Sequence, residues 1–386
     1  MEFERKLEIL GEGARFDLSC ACGDGLHRVK DPFDRWIYPA VLPSGRVLPI
    51  LKILMTNYCD NDCFYCENRK SRDFKRITFQ PEELARGFMN LFNSGRVKGL
   101  FLSSANWVCA TSAMDRILST AEILRKKYKY RGYLHLKILP GSEPAQIERA
   151  GEIATRVSIN LEVPERRYLE VVAPDKKPED LTRPLKLIKK FIVESKGKNF
   201  RWAPAGFTTQ FIVGSAGEND MEILKTTSFL YGNMGARRIY FSAFQPVPGT
   251  PLENNSPCPL IREHRLYQCD FLLRKYGFKY EDFIFDKNGN LFLEDDPKTL
   301  WAKTNHEIFP VEINDAPLKL LLRVPGIGPV SARRIILARK EGRISNPDAL
   351  KKIGVNIKKA SAYILLSGRR VPRQMVLNES SINPIF

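Results

Sequence analysis

The stretch CDNDCFYC, residues 59–66, follows the apolar run LPILKILMT and sets three cysteines, Cys59, Cys63 and Cys66, within eight positions. Thiolates gathered in one loop after a strand-like run are ligands for zinc or iron. A structural zinc site draws four protein ligands, usually as two paired motifs, and no second Cys-x-x-Cys occurs in the chain. A [4Fe–4S] cluster held by only three thiolates keeps one iron open for a further ligand, which is what a catalytic cluster needs. The competing reading is a loop of free thiols brought together by chance.

Positioning such a loop calls for a rigid frame, and the surrounding pattern supplies one. Between residues 47 and 244, VLPILKILMT, KGLFLSS, GYLHLKIL, TRVSINLEV, FTTQFIVG and RRIYFSAFQ read as six strands. Amphipathic stretches such as PEELARGFMNLF and DMEILKTTSFLYGN separate them. That alternation implies βαβ units and a parallel sheet, hence an α/β class, built as an open sheet or an incomplete barrel. Strict alternation puts Tyr133, His135 and Lys137 on one strand face, and Ser158, Asn160 and Glu162 on another. Gln210 and the pair Tyr240 and Ser242 extend the pattern. Helices over the apolar face would leave the polar face lining a lumen, with His135, Lys137, Gln210 and Tyr240 as substrate-site candidates. For any single residue, a satisfied core position is the plainer alternative.

The whole chain narrows the context. It has 386 residues, 43% hydrophobic and 27% charged, enough for a large core and a smaller satellite domain. The start, MEFERKLEIL, is charged throughout and no apolar run approaches a membrane span, so the expectation is a soluble cytoplasmic protein with no membrane partner. The eight cysteines then read as metal ligands or free thiols rather than disulfides. Cys20, Cys22, Cys109, Cys258 and Cys269 fit no cluster spacing and read as buried or free thiols, with an auxiliary cluster as the alternative, and His264 reads as a helix residue, with the substrate site as the alternative. Lys plus Arg number 61 against 44 Asp plus Glu, a net +17, and the segment from Lys319 to Arg373 alone holds 14 basic and two acidic residues. A surplus so concentrated points to a polyanionic partner.

The spacing Cys-x3-Cys-x2-Cys directly after a first strand resembles the radical S-adenosylmethionine (radical SAM) superfamily. The resemblance implies an incomplete (β/α)6 barrel, with a [4Fe–4S] cluster on Cys59, Cys63 and Cys66. The implied further ligand is the methionyl amine and carboxylate of S-adenosylmethionine. One electron then cleaves the sulfonium to methionine and a 5′-deoxyadenosyl radical that takes hydrogen from the substrate. A low-potential electron donor, flavodoxin or ferredoxin, is implied as well. GLFLSSA stands where the family carries an acid-tipped strand end for the methionine amine; here Ser103 and Ser104 replace it. Asn160 and Glu162 resemble the pair that holds the ribose hydroxyls in the biotin synthase branch. FIVGSAGE resembles the motif that supports adenine, bringing Ile212 and Gly214 to the base, with Tyr65 the aromatic beside it.

Further along, LLRVPGIGPVSARRIILARKEGRI resembles a helix-hairpin-helix, with a tight Gly326-Ile327-Gly328 turn and Ala332 for close packing; LKKIGVNIKKASAYIL resembles a degenerate second copy. Such units hold phosphates through backbone N–H groups and basic side chains, here Gly326, Ile327, Gly328, Arg333, Arg334, Lys351 and Lys352. A helical subdomain with a solvated basic face is the alternative. The basic run after the cysteines, Arg69, Lys70, Arg72, Lys75 and Arg76, is a candidate guide for an anionic strand. Expected boundaries are 1–46 for an N-terminal extension, 47–255 for the barrel and 256–317 for a helical connection. They continue with 318–370 for a small all-α tandem helix-hairpin-helix domain and 371–386 for a poorly ordered tail. Together these features resemble a family of DNA modification or repair radical SAM proteins associated with a uracil-DNA-glycosylase-like partner. The alternatives are modification of structured RNA such as tRNA, and a DNA-binding adaptor whose cluster senses redox state without turnover.

Overall fold

The computed structural model describes residues 2–14, 36–41, 47–107 and 109–371, and the chain divides into two compact units, Met1–Tyr267 and Gln268–Phe386. The expectations for Cys20, Cys22 and the C-terminal tail lie outside the described residues, as does the side chain of Cys109.

In the first unit β1 (Ile37–Val41), β2 (Val47–Leu54), β3 (Gly99–Ser103), β4 (Tyr133–Lys137), β5 (Arg156–Ser158), β6 (Phe207–Val213) and β7 (Arg238–Ala243) form one sheet in strict chain order. β1 runs antiparallel to β2, and all pairs from β2 to β7 are parallel. The six parallel strands with their crossover helices are the incomplete (β/α)6 barrel. Each crossover helix turns one apolar stripe inward: Leu84, Ala85, Phe88 and Met89 are buried on Pro81–Asn93, and Ile147 and Ala150 on Pro144–Ile153. Pro81, Pro144 and Pro178 open their helices in the first turn, where a missing N–H costs nothing.

An incomplete barrel has two edges, and both are covered. β1 pairs along the outer side of β2, with Tyr38 opposite Ile50; its Tyr38 ring stacks on the ammonium of the buried Lys52 at 3.9 Å. On β7 the alternate outward amides each find a side chain. Ile239 N–H donates to the Tyr231 hydroxyl at 3.0 Å, Phe241 to Tyr267 at 3.0 Å and Ala243 to the Glu263 carboxylate at 2.6 Å. An open edge would otherwise be a template for another strand.

The interior is layered. His135 on β4 pairs in register with Phe101 on β3, and their rings stack at 4.0 Å with a 6° interplanar angle. Tyr133 meets the same imidazole edge-on one layer below, at 6.4 Å. Residues at and beyond the C-terminal strand ends, joined by Gln210 from within β6, are the ones that can reach a ligand.

In the second unit, Leu321, Val324, Ile327, Ile335, Leu350 and Val355 belong to one apolar core. Helices Leu318–Leu321, Pro329–Glu341, Pro347–Lys352 and Ile357–Ala360 surround it. Three short strands accompany the helices: β8 (Val311–Glu312), β9 (Ile364–Leu366) and β10 (Arg369–Arg370), in the order β10-β9-β8. Among the described residues no helix is long and apolar enough to cross a membrane.

Candidate active site and nucleic-acid interface

The loop that carries the cysteines leaves β2 at Met55, whose N–H donates to the Ser103 carbonyl at 2.7 Å. Buried Asn57 ties its two ends together, donating to the Lys75 carbonyl at 3.0 Å and accepting from Ile77 N–H at 2.7 Å. Arg76 reaches back across the loop to five backbone carbonyls: Asn57 at 2.7 Å, Asn68 at 3.2 Å, Arg69 at 2.5 Å, Lys70 at 3.2 Å and Arg72 at 3.1 Å. Arg69 is buried and pairs with Asp62 at 2.6 Å, and its guanidinium holds the Asp62 carboxyl well below the usual carboxylate range. Arg72 donates to the carbonyls of Pro248 and Glu67 at 3.2 and 3.1 Å. The expected guide for an anionic strand is corrected here: Arg69, Arg72 and Arg76 are committed to holding the loop, and of the run only Lys70 and Lys75 are exposed.

Cys59, Cys63 and Cys66 open onto one pocket at the C-terminal ends of the strands. Its wall also includes Tyr65, Ser104, Asn106, Lys137, Asn160, Glu162, Lys176, Gln210, Ile212 and Ser242. Burial pushes the Cys63 thiol up to about 11 and the Cys66 thiol higher still, so both are neutral at pH 7 unless a metal replaces the proton. Among the described residues no group of three or more His, Cys, Asp or Glu is placed to hold a metal ion together; a cluster asks instead for one thiolate on each of three irons.

β5 is shorter than the alternation suggested. It stops at Ser158, and Glu162 takes a left-handed φ of +67°. The chain rejoins the sheet there: Glu162 N–H donates to the Gln210 carbonyl at 3.0 Å, and Ile212 N–H to the Glu162 carbonyl at 2.7 Å. Backbone bonds on both sides fix the carboxylate, and Lys176 meets it from the loop after helix Arg166–Val172 at 2.8 Å. The same ammonium donates to the Tyr65 hydroxyl at 3.2 Å. Burial alone would lower the Lys176 ammonium, but the Glu162 carboxylate beside it outweighs that and holds it raised.

Other expected residues lie elsewhere. Ser103 is fully buried and absent from the pocket wall. Ser104 lines the pocket and donates its hydroxyl to the Ala105 carbonyl at 2.7 Å. His135 and Tyr240 are buried one layer below and do not line the pocket. Gly214, at φ +82°, makes the turn after β6, where Glu218 accepts its N–H and an added Cβ would meet Cys258 Cβ at 2.9 Å; it is not part of the wall. His264 sits exposed on helix Leu260–Lys275, and Cys258 and Cys269 are buried thiols in no disulfide. Sequence reasoning missed Lys176 and Asn106. Nothing local separates Lys176 from its neighbour Lys177. Asn106 had a signal, being a polar side chain two residues beyond the serines that replace the expected acid.

In the second unit the two hairpins brace each other. Gly326 (φ +82°) and Gly354 (φ +92°) turn them, Asn356 N–H donates to the Gly326 carbonyl at 2.9 Å, and Ser331 donates to the Gly354 carbonyl at 2.7 Å. A Cβ on Gly326 would lie 2.5 Å from the Asn356 oxygen, whereas at Gly328 the nearest atom is the Tyr276 hydroxyl at 3.5 Å. Arg333, Arg334, Lys351 and Lys352 are exposed. Ile327 is corrected: its side chain is core, its N–H goes to Val324 at 3.2 Å and its carbonyl accepts from Lys298 at 2.6 Å, so it offers nothing to a phosphate.

Comparison with solved structures finds similarity to HydG, a maturase of the [FeFe]-hydrogenase, at 15% identity over 58% of this chain and 49% of that one, with a TM-score of 0.45. Methylornithine synthase (PylB) is similar at 15% identity over 58% and 61%, with a TM-score of 0.46. The radical S-adenosylmethionine methyltransferase TsrM from Kitasatospora setae is similar at 14% identity over 63% and 43%, with a TM-score of 0.39. The chain thus spans about half the length of HydG and about three fifths of PylB. No curated protein matches.

Residues 53–230 match the Radical SAM superfamily model and residues 307–364 the helix-hairpin-helix motif model. The superfamily's cofactors are a [4Fe–4S] cluster and S-adenosylmethionine, and the pocket suits both. Its three thiols share one wall with a fixed carboxylate and amides, and Asn106 Oδ1 on that wall is a buried acceptor with no partner among the described residues. The chain therefore carries a radical SAM domain over residues 53–230, followed in the same polypeptide by a helix-hairpin-helix motif over residues 307–364.

Proposed function

We propose that the protein is a radical SAM enzyme that abstracts hydrogen from a nucleic acid, with DNA modification or repair as the leading assignment. One observation carries the reading: a pocket walled by Cys59, Cys63, Cys66, Asn160 and Glu162 is encoded with tandem hairpins whose segment holds 14 basic and two acidic residues. When bound, the cluster and S-adenosylmethionine supply one-electron sulfonium cleavage and a carbon radical that removes hydrogen.

The chain's own residues bind and orient. Cys59, Cys63 and Cys66 hold iron. Asn106 accepts from the methionine ammonium, taking the place of the missing strand-end acid beside Ser104. Asn160 and Glu162 receive the ribose hydroxyls, with Lys176 holding the carboxylate in place. Ile212 and Tyr65 pack the adenine. Lys137 and Gln210 are the polar wall left for the substrate. His135, Tyr240, Ser103 and Gly214 support the pocket from behind. Arg333, Arg334, Lys351, Lys352 and the Gly328 N–H hold phosphates, so binding should be largely sequence-independent.

The partners that go with this reading are a flavodoxin or ferredoxin as electron donor and a uracil-DNA-glycosylase-like protein, in a cytoplasm that keeps buried Cys258 and Cys269 reduced. Anaerobic incubation of the reconstituted full chain with dithionite, S-adenosylmethionine and either duplex DNA, single-stranded DNA or tRNA tests it, with 5′-deoxyadenosine as readout. DNA should stimulate its formation. Stimulation by tRNA alone would move the substrate to RNA, and no 5′-deoxyadenosine with any of them would leave a redox-sensing adaptor. Neutralising about four to six phosphates should give a slope of log affinity on log salt of about −4 to −5.

A further inference from the structure

Lys298 stands on helix Pro297–Thr304 in the second unit and is only 8% exposed. Its Nζ donates to the Ile327 carbonyl at 2.6 Å and lies 4.7 Å from the Tyr276 ring centroid. For packing alone an apolar side chain of similar length serves as well, because an ammonium gives up its water to enter such a site. The ammonium sits instead under the turn of the first hairpin, on the carbonyl between its two glycines.

The geometry has a direct consequence for the other side of that turn. In a planar trans peptide the carbonyl of one residue and the N–H of the next point in opposite directions. Drawing the Ile327 carbonyl inward turns the Gly328 N–H outward. Gly328 caps helix Pro329–Glu341, whose first residue, Pro329, has no N–H, and the next, Val330, is exposed. The Gly328 N–H is thus a donor presented at this helix start, and the peptide that carries it is held from behind by the Lys298 side chain.

We propose that Lys298 is a positioning residue for nucleic-acid binding, holding the Ile327–Gly328 peptide so that its N–H faces an incoming phosphate and adding a buried positive charge behind it. This rests on the reading of the hairpin unit as a nucleic-acid clamp. The groups around Lys298 are Asp296, which accepts from Lys359 at 2.9 Å and from Thr299; Arg323, which pairs with Asp282 at 2.9 Å and lies over the Phe278 and Trp301 rings; and Tyr276. Burial pushes the Lys298 ammonium down to about 7, with Asp296 opposing and Arg323 adding to the shift. The charge is present below that pH and lost above it, so phosphate binding should weaken as pH rises, and bound phosphate should in turn retain the proton.

The test is the affinity of the full-length chain for a DNA duplex between about pH 6 and pH 8.5 at constant salt. Wild type should lose roughly three- to tenfold across the range. Lys298→Arg, permanently charged, should show no such decline, and Lys298→Met should bind weakly throughout with a flat profile. Thermal melting of each variant establishes that it is folded. A folded Lys298→Met chain with wild-type affinity and profile overturns the role of Lys298 alone. A wild-type chain that binds no nucleic acid at any pH overturns the clamp and this proposal with it.

Discussion

The Lys176 ammonium lies 2.8 Å from the Glu162 carboxylate, with side chains only 10% and 7% exposed, on the wall shared with the three cysteines. A buried pair of this kind adds little net stability, but losing one partner strands the other in a low-dielectric site. The value of the pair is therefore in orientation, and removal of Lys176 separates that from packing.

Lys176→Met should cost about 3–5 kcal/mol of stability and weaken S-adenosylmethionine binding. The double variant Lys176→Met/Glu162→Gln should regain much of the stability but not the binding. Denaturant unfolding and calorimetric titration with S-adenosylmethionine measure the two effects.

Asn160→Ala should weaken S-adenosylmethionine binding about tenfold or more, because a site built around hydroxyl groups loses most when its polar partners go. Its iron content should match wild type. The triple variant Cys59→Ala/Cys63→Ala/Cys66→Ala should retain no cluster after anaerobic reconstitution, by iron and sulfide analysis. Four irons per chain in that variant would pass the assignment to other cysteines.

Gly326 and Gly328 should respond differently to alanine. At Gly326 the left-handed φ and the Asn356 oxygen 2.5 Å from the new Cβ strain the joint between hairpins, at a cost of about 1–3 kcal/mol. Gly328→Ala should leave the melting temperature nearly unchanged, since its nearest contact is 3.5 Å, and should reduce DNA affinity by crowding the phosphate. Calorimetric melting and DNA titration of both variants check the contrast.

Lys298 also makes stability depend on pH, in the opposite sense to binding. In the unfolded chain its pKa is the ordinary lysine value, and in the fold it is about 7. Between these values the unfolded chain holds a proton that the folded chain has released. Stability should therefore rise with pH above 7, by at most about 1.4 kcal/mol per pH unit. The rise should be absent in Lys298→Met, as measured by urea unfolding of the full chain at pH 7 and pH 9.

Much of this was legible in the chain itself, for identifiable reasons. The six parallel strands follow from apolar runs alternating with amphipathic ones, and the cysteine loop from its spacing. The polar faces were legible only as periodicity. Alternation put His135 beside Lys137 without saying that His135 would stack on Phe101 a layer below, because depth along a barrel depends on register between strands. It carried β5 through to Val163, whereas the strand ends at Ser158 and resumes contact at Glu162 through a left-handed residue. Lys176 and Arg76 act through partners distant in the chain or through backbone carbonyls, which leave no pattern of side-chain types. The arginines after the cysteines looked like free charge because sequence shows charge and not its commitments.

Those commitments bear on how the protein survives damage. Arg76 ties together five carbonyls of the cysteine loop, and Asn57 joins its two ends, all through bonds of the polypeptide to itself. The loop is thus a socket whose shape is written in the polypeptide, unlike small zinc domains that unfold without their metal. The expected consequence is that a chain stripped by oxygen still melts as a folded protein and takes up iron and sulfide again, which melting and anaerobic reconstitution of the oxidised chain would check.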